Sequence, residues 1–552
     1  MRLENVMISM VGNKRSQVLR LACGLSVFGV ALFYIAQWLQ MPLYPDEVAL
    51  RLWKARFYVD GPLEYSLLPQ CPSNAKEIPI IFRPVAYLFS VFDFSFGWSL
   101  LRKVPSAGVL FALGACLVLV YERRFSAVML VPAAGFIGVA GAGLILFRME
   151  IPLILYGAVC AMGYLLVRRD AVSPIIVGVY LAISTLLALF SFFVHVQSLI
   201  LAPLGILLAA GLMIQPRSST VRILAGLSAV FIVIGAVTIL MTPAVKCAEL
   251  PKVQRFFDVM TLPGLAKHDG LVGVKDYLER KFDRYSDEFL FKRQYENNYL
   301  PGVVSNRSDA YFLLNTAISY AVFLNLLIAC GVFLYTGTGV ARLIVSENHS
   351  LRERLTLATT APSVYLFFAT AGHLGLFITD VPTNFYRDFY LHFSLVMINA
   401  LALSGLRGSA KLALWPVGIF SVVLSIVSTT VVRYEMKPKF LAGWSGPSIR
   451  MDTNWSAVRL DVAKLALKCG IKVEDPRIII DDMTFDAMKY HPHLMPITYI
   501  GIAYNSDDPG VKMQSEFFRS FGATYVLARC TSFPPYNIEP NIRSDDLCCT
   551  KL

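Results

Sequence analysis

The chain is crossed repeatedly by apolar stretches of about 20 residues, the length at which an α-helix spans roughly 30 Å of hydrocarbon. Val18 to Leu39 is the first, and others lie near 104–121, 126–146, 151–167, 172–193, 198–214, 222–242, 312–335, 357–379, 387–405 and 410–431. A single core folded in water has no use for so many. The sequence is 56% hydrophobic and 16% charged over 552 residues, against about a quarter charged in ordinary soluble domains. The expected fold is an α-helical polytopic membrane protein with about eleven transmembrane helices. No small-residue cleavage site precedes Pro42, so the first stretch is expected to remain as a helix rather than be removed as a signal peptide.

A net charge of +12 would suit a nucleic-acid partner, but the basic residues outside the long loops fall in short clusters between apolar stretches. They read as topology signals, and no nucleic acid is expected. Arg2, Lys14, Arg15 and Arg20 precede the first span, which puts the amino terminus in the cytoplasm. Arg123 and Arg124, Arg168 and Arg169, Arg217 and Arg222, Arg342 with Arg352 and Arg354, then Arg407 and Lys411 occupy alternate connections. An odd number of spans then exports the carboxyl terminus. The expected division is a transmembrane module over 1–432, with extracytoplasmic loops 41–103 and 243–311, and an extracytoplasmic α/β domain over 433–552.

In that tail, Val458, Val462 and Leu465 mark one face of a helix from Trp455 to Cys469, with Gly470 as its stop. Arg477 to Asp481 and Thr524 to Ala528 read as buried strands. Cys23, Cys116, Cys160 and Cys330 lie inside spans, which leaves Cys71, Cys247, Cys469, Cys530, Cys548 and Cys549 outside. An even number on an oxidising side predicts at least one disulfide, with the pairing left open. Their spacing is not that of a zinc site, and no metal or other cofactor is expected. Asn306-Arg-Ser and Asn454-Trp-Ser match the glycosylation sequon, which matters only in a eukaryotic secretory pathway. No repeat of the transmembrane segments is visible, which counts against transporters built from inverted repeats.

Charged residues collect at the outer rim. Tyr44-Pro45-Asp46-Glu47 follows the first span, and paired carboxylates beside the membrane plane can supply a general base, or Asp46 and Glu47 simply start a helix. Arg148-Met149-Glu150 fills a short outer connection, as a functional pair or as the closure of a tight hairpin. His195 and Gln197 stand where the fifth span turns, and a rim histidine serves as a hydrogen-bonding group as readily as a catalyst. Phe385-Tyr386-Arg387-Asp388-Phe389-Tyr390 opens the tenth span. Arg387 there suits a phosphate at the lipid headgroup level, with Tyr386 beside it, or it snorkels within an aromatic belt. Arg83, Arg102 and Lys103 are further basic candidates in the first outer loop.

This arrangement resembles the GT-C superfamily of integral membrane glycosyltransferases, which includes protein O-mannosyltransferases, aminoarabinose transferases and bacterial O-antigen-modifying enzymes. The motifs behind the resemblance are Pro45-Asp46-Glu47, the Arg148-Met149-Glu150 turn and the His195 rim. The resemblance implies an inverting transfer of a sugar from a polyprenyl-phosphate carrier to a lipid-linked glycan, lipopolysaccharide or surface-protein acceptor. In such a reaction Asp46, with Glu47 second, deprotonates the acceptor hydroxyl, and Arg387 or another basic residue holds the leaving phosphate. Glu150 would stand where many relatives carry a second acidic residue. The implied location is a bacterial inner membrane crossed many times, with the amino terminus cytoplasmic and the carboxyl terminus periplasmic. The motif by which oligosaccharyltransferases recognise a protein sequon is missing. The alternatives are an O-antigen ligase or polymerase, which relies more on outer-loop arginines and histidines, a polytopic transporter or flippase, which places charges deep within its spans, and a scaffold whose tail binds partners while the rim charges only anchor the helices.

Overall fold

The computed structural model describes residues 2–40, 62–63, 73–74, 79–85, 98–122, 127–138, 151–168, 173–194, 196–215, 218–241, 262–288, 309–345, 350–379, 389–406, 410–431, 433–434, 454–472, 477–488, 491, 494–496, 518–519, 522–533 and 538–552. The chain forms two compact units. One comprises Met1–Gln40, Arg102–Thr242 and Gln254–Lys439, and the other Met41–Leu101, Pro243–Val253 and Phe440–Leu552.

The first unit is a helical bundle. Its helices are α1 (Arg2–Trp38), α2 (Trp98–Glu122, continuous with the second unit at its start), α3 (Ile151–Arg168), α4 (Pro174–Val194), α5 (Ala202–Ile214), α6 (Ser219–Met241), α7 (Leu262–Glu288), α8 (Asp309–Val345), α9 (Leu351–Thr360), α10 (Pro362–Thr379), α11 (Phe389–Leu403) and α12 (Ala410–Val431). Among the described residues, eight helical stretches are long and apolar enough to cross a membrane. The sequence reading of one helix over 357–379 is resolved into α9 and α10, because Pro362 has no backbone N–H and starts a new helix at its first position. A Ser350 to Glu353 capping box fixes the start of α9.

The expected span 126–146 is not an α-helix where it is described. Ala127–Phe136 winds as a 3-10 helix around Pro132, and Gly138 follows with a positive φ of 52°. Such backbone survives at membrane depth only when protein groups satisfy it. Here they do: Ser425 Oγ donates to Ala133 O at 2.6 Å, His392 Nε2 to Ala134 O at 2.9 Å and Tyr34 OH to Gly138 O at 2.9 Å, while Gly138 N–H donates to Ser428 Oγ at 2.9 Å. Three helices, α1, α11 and α12, thus complete one irregular segment. Gly418 lets α12 approach, since a Cβ there would meet Leu130 Cβ at 2.8 Å and Ala127 O at 2.9 Å. His392 also faces Asn325 of α8, whose side-chain oxygen accepts from Asn399 Nδ2 at 2.6 Å.

Side chains also join helix ends to one another. Arg20 Nη1 donates to Tyr121 O at 2.9 Å, near the carboxyl end of α2, where a cation also offsets the helix dipole. Gln215 donates to Val167 O, and Arg354 Nη1 to Ile344 O at 3.1 Å. At the opposite ends, Gln197 Nε2 donates to Thr379 O at 3.0 Å.

In the second unit, β1 (Pro62–Leu63) and β2 (Ser73–Asn74) pair antiparallel. The tail folds as α13 (Trp455–Cys469), β3 (Ile478–Ile480), α14 (Asp482–Met488), β4 (Leu494–Pro496), β5 (Tyr525–Arg529), β6 (Ile542–Ser544) and β7 (Leu547–Lys551). The strand order is β4-β3-β5-β7-β6, parallel from β4 to β5 and antiparallel from β5 onward. Asn454 caps α13 by accepting from Ala457 N–H, and Gly470 ends it with φ 75°. Val462 and Leu465 are buried as the periodicity requires, whereas Val458 is only partly covered.

Two disulfides, Cys469–Cys549 and Cys530–Cys548, tie neighbouring residues of β7. Successive residues of a strand face opposite sides, so the bridges secure the two faces of one strand. They close loops of 80 and 18 residues, and in the chain-entropy account they contribute about 4.5 and about 3 kcal/mol. Cys71 and Cys247 lie outside the described residues.

Candidate functional site

Of the residues singled out in the sequence, Asp46, Glu47, Arg148, Glu150, His195, Tyr386 and Arg387 lie outside the described residues. Arg83 is described: it is exposed and caps the 3-10 helix Ile80–Phe82 through its own N–H to Ile80 O. What the bundle defines are the anchor points from which the other segments depart.

Two anchor points stand out. At the first, Tyr34 lies one turn before Trp38 at the end of α1, its ring 5.7 Å from that of Phe136 and its hydroxyl on Gly138 O. The chain toward Asp46 leaves from α1, and the chain toward Arg148 and Glu150 leaves from Gly138. At the second, the Gln197 to Thr379 bond joins the 3-10 helix Val196–Leu201 to the end of α10. Position 195 directly precedes that 3-10 helix, and the stretch carrying Tyr386 and Arg387 follows α10 and precedes α11. Next to Gln197, Ser198 is fully buried, and its Oγ has no hydrogen-bond partner among the described residues.

Two buried cations, Arg102 and Lys281, also stand out. Arg102 is 0% exposed in the second turn of α2, with Ser106 Oγ donating to its carbonyl at 2.9 Å. Lys281 of α7 is 1% exposed, and its Nζ stands 5.0 Å from the Phe377 ring centroid. Phe377 is two residues from the end of α10, which places Lys281 near the helix ends on that side. Arg102 was legible as a basic residue of the first outer loop, whereas Lys281 was not. Its signal is the buried stripe Gly273, Tyr277, Lys281 at a spacing of four, within a segment of mixed charge.

No family model matches the sequence, and no curated protein matches it. Solved structures do resemble it. One is the Archaeoglobus fulgidus oligosaccharyltransferase tethered through a disulfide bond to an acceptor peptide containing the NVT sequon, 14% identical over 92% of this chain and 69% of that chain, with a TM-score of 0.42. Another is ArnT from Cupriavidus metallidurans bound to undecaprenyl phosphate, 11% identical over 97% of each chain, with a TM-score of 0.36. Both are GT-C membrane glycosyltransferases, the class that the sequence motifs resemble. At these scores neither likeness assigns a role to any residue of this chain.

Proposed function

We propose that this protein is an inverting membrane glycosyltransferase. It moves a sugar from a polyprenyl-phosphate carrier to a lipid-linked glycan, lipopolysaccharide or surface-protein acceptor at the outer face of a bacterial inner membrane. The observation that carries the reading is the Asp46-Glu47 pair that follows the first apolar stretch in the sequence, with Arg148 and Arg387 between later ones. Asp46 takes the proton of the acceptor hydroxyl as the oxygen attacks the anomeric carbon, and the bond to the carrier phosphate breaks with inversion. Glu47 supports Asp46. Arg387 holds the leaving phosphate, with Arg148, Arg83 and Arg102 as further positive groups and Tyr386, Glu150 and His195 lining the substrates. A charge-assisted contact of this kind stabilises the phosphate most where its charge is developing.

The two tail disulfides favour an extracytoplasmic carboxyl terminus, because such bonds persist on the oxidising side of a membrane. The proposed carrier is of the chemical class of the undecaprenyl phosphate bound to ArnT. The test is to incubate the purified protein in lipid with a panel of polyprenyl-phosphate sugars and with envelope glycans as acceptors. Acceptor-dependent release of polyprenyl phosphate is expected for at least one donor. Release from diphosphate-linked donors alone would transfer the assignment to the ligase or polymerase class.

A further inference from the structure

A cavity of about 130 Å³ opens inside the first unit between α2, α3, α5, α10 and α11. It reaches from His373 and Phe393 to Leu119, Tyr164 and Ser404, toward the helix ends where Arg20 meets Tyr121. On α2 its first wall residue, Ala112, is ten residues from Arg102, which at about 1.5 Å per residue is roughly 15 Å.

Its walls are mostly Leu, Ile, Ala, Met and Phe, with His373, Tyr164, Tyr365, Ser394 and Ser404 among the polar side chains. His373 is 4% exposed, and its Nδ1 lies 2.7 Å from Ala369 O. A carbonyl only accepts, so Nδ1 carries the proton, and in the neutral ring Nε2 is an acceptor. An apolar cavity of roughly 150 Å³ holds a molecule the size of benzene, so this one suits a short hydrocarbon segment whose hydroxyl reaches His373.

We propose that this cavity is a second binding site, for the hydroxyl end of a lipid-derived alcohol, with the hydroxyl donating to His373 Nε2 and the hydrocarbon lying against Ile154, Leu366 and Met397. The site is independent of the transfer reaction. Gly157 supplies a direct control: it lines the cavity, and a Cβ there meets nothing within 4 Å, so Gly157→Leu fills the space without displacing backbone.

The experiment uses the full-length protein in lipid nanodiscs, photolabelled with diazirine-bearing octanol and, in parallel, with the diazirine-bearing octane that lacks the hydroxyl. Peptide mass spectrometry locates the adducts, and unlabelled octanol measures affinity by competition. Adducts are expected on the cavity segments of α3, α10 and α11, and they disappear in Gly157→Leu. In His373→Leu the octanol affinity falls roughly five- to tenfold, the loss of one hydrogen bond, while labelling by the octane probe is unchanged. Cavity labelling that persists in Gly157→Leu overturns the site, and equal octanol affinity in wild type and His373→Leu overturns the role of the histidine. Should His373→Leu fail to fold, His373→Gln keeps an acceptor, and a loss of octanol preference in that variant also counts against the assignment.

Discussion

Among single residues, Asp481 of the tail shows what a buried charge needs. Its carboxylate is 1% exposed and accepts from Arg529 Nε at 2.8 Å, Arg529 N–H at 2.9 Å, Ser532 Oγ at 3.2 Å and the N–H groups of Met483 and Thr484. Burial opposes ionisation, but the Arg529 guanidinium and these hydrogen bonds outweigh it and hold the carboxyl below its ordinary range. A carboxyl depressed on folding adds stability above its unfolded value of about 3.9 and loses it as the pH falls through the lower folded value. Thermal unfolding of the tail should therefore show an acid-side loss below about pH 4 that Asp481→Asn removes. Arg529→Ala leaves the carboxylate buried without its guanidinium and should destabilise the tail by about 3–5 kcal/mol. Protease resistance of the tail in the full chain reads both. Arg387 is tested by binding instead: Arg387→Ala should weaken capture of a polyprenyl phosphate, and Arg387→Lys should restore only part of it because the planar fork is lost. Unchanged capture by Arg387→Ala would remove this residue from the phosphate site.

For helices and strands, local rules explain what was legible in the sequence. Helix α13, β3 and β5 lie where their periodicity, cap and apolar runs put them, since these signals are contained within a few residues. The β6–β7 hairpin carries no such signal. Its strands are short and rich in polar residues, its two-residue loop places Asp545 at φ 52°, and pairing with β5 plus two disulfides holds it in place. The 3-10 segment was hidden for a related reason: Ala127–Phe136 is apolar enough for a span, and only distant side chains tell that its backbone is satisfied from outside. Ser425 and His392, at sequence separations of 292 and 258 from the carbonyls they serve, are invisible as partners in one dimension. Removing one such donor should cost about 1–3 kcal/mol. His392→Leu should therefore lower the thermal stability of the bundle more than a surface change such as Leu412→Ala on the exposed face of α12. Equal melting temperatures for the two variants would mean that the segment does not depend on its side-chain partners.

Across the chain as one object, the apolar stretches predict a helical membrane bundle, and eight described helical stretches are long and apolar enough to cross a membrane. The proposed transfer site is read from residue types in the sequence, because carboxylates, arginines and a histidine beside apolar spans are costly and conspicuous. Lys281 escaped notice because its burial depends on how α7 packs rather than on its neighbours in sequence. Everything proposed for the transfer reaction depends on a carboxylate in the first outer connection acting as a base toward a lipid-borne sugar. The decisive quantity is the transfer rate of Asp46→Asn at matched expression, with carrier binding measured on the same sample. Asn caps a helix about as well as Asp but takes no proton. Normal insertion and carrier binding are expected, with transfer reduced by roughly 10²-fold or more. Wild-type transfer in Asp46→Asn, in Glu47→Gln and in the double variant would leave the proposed reaction without its base.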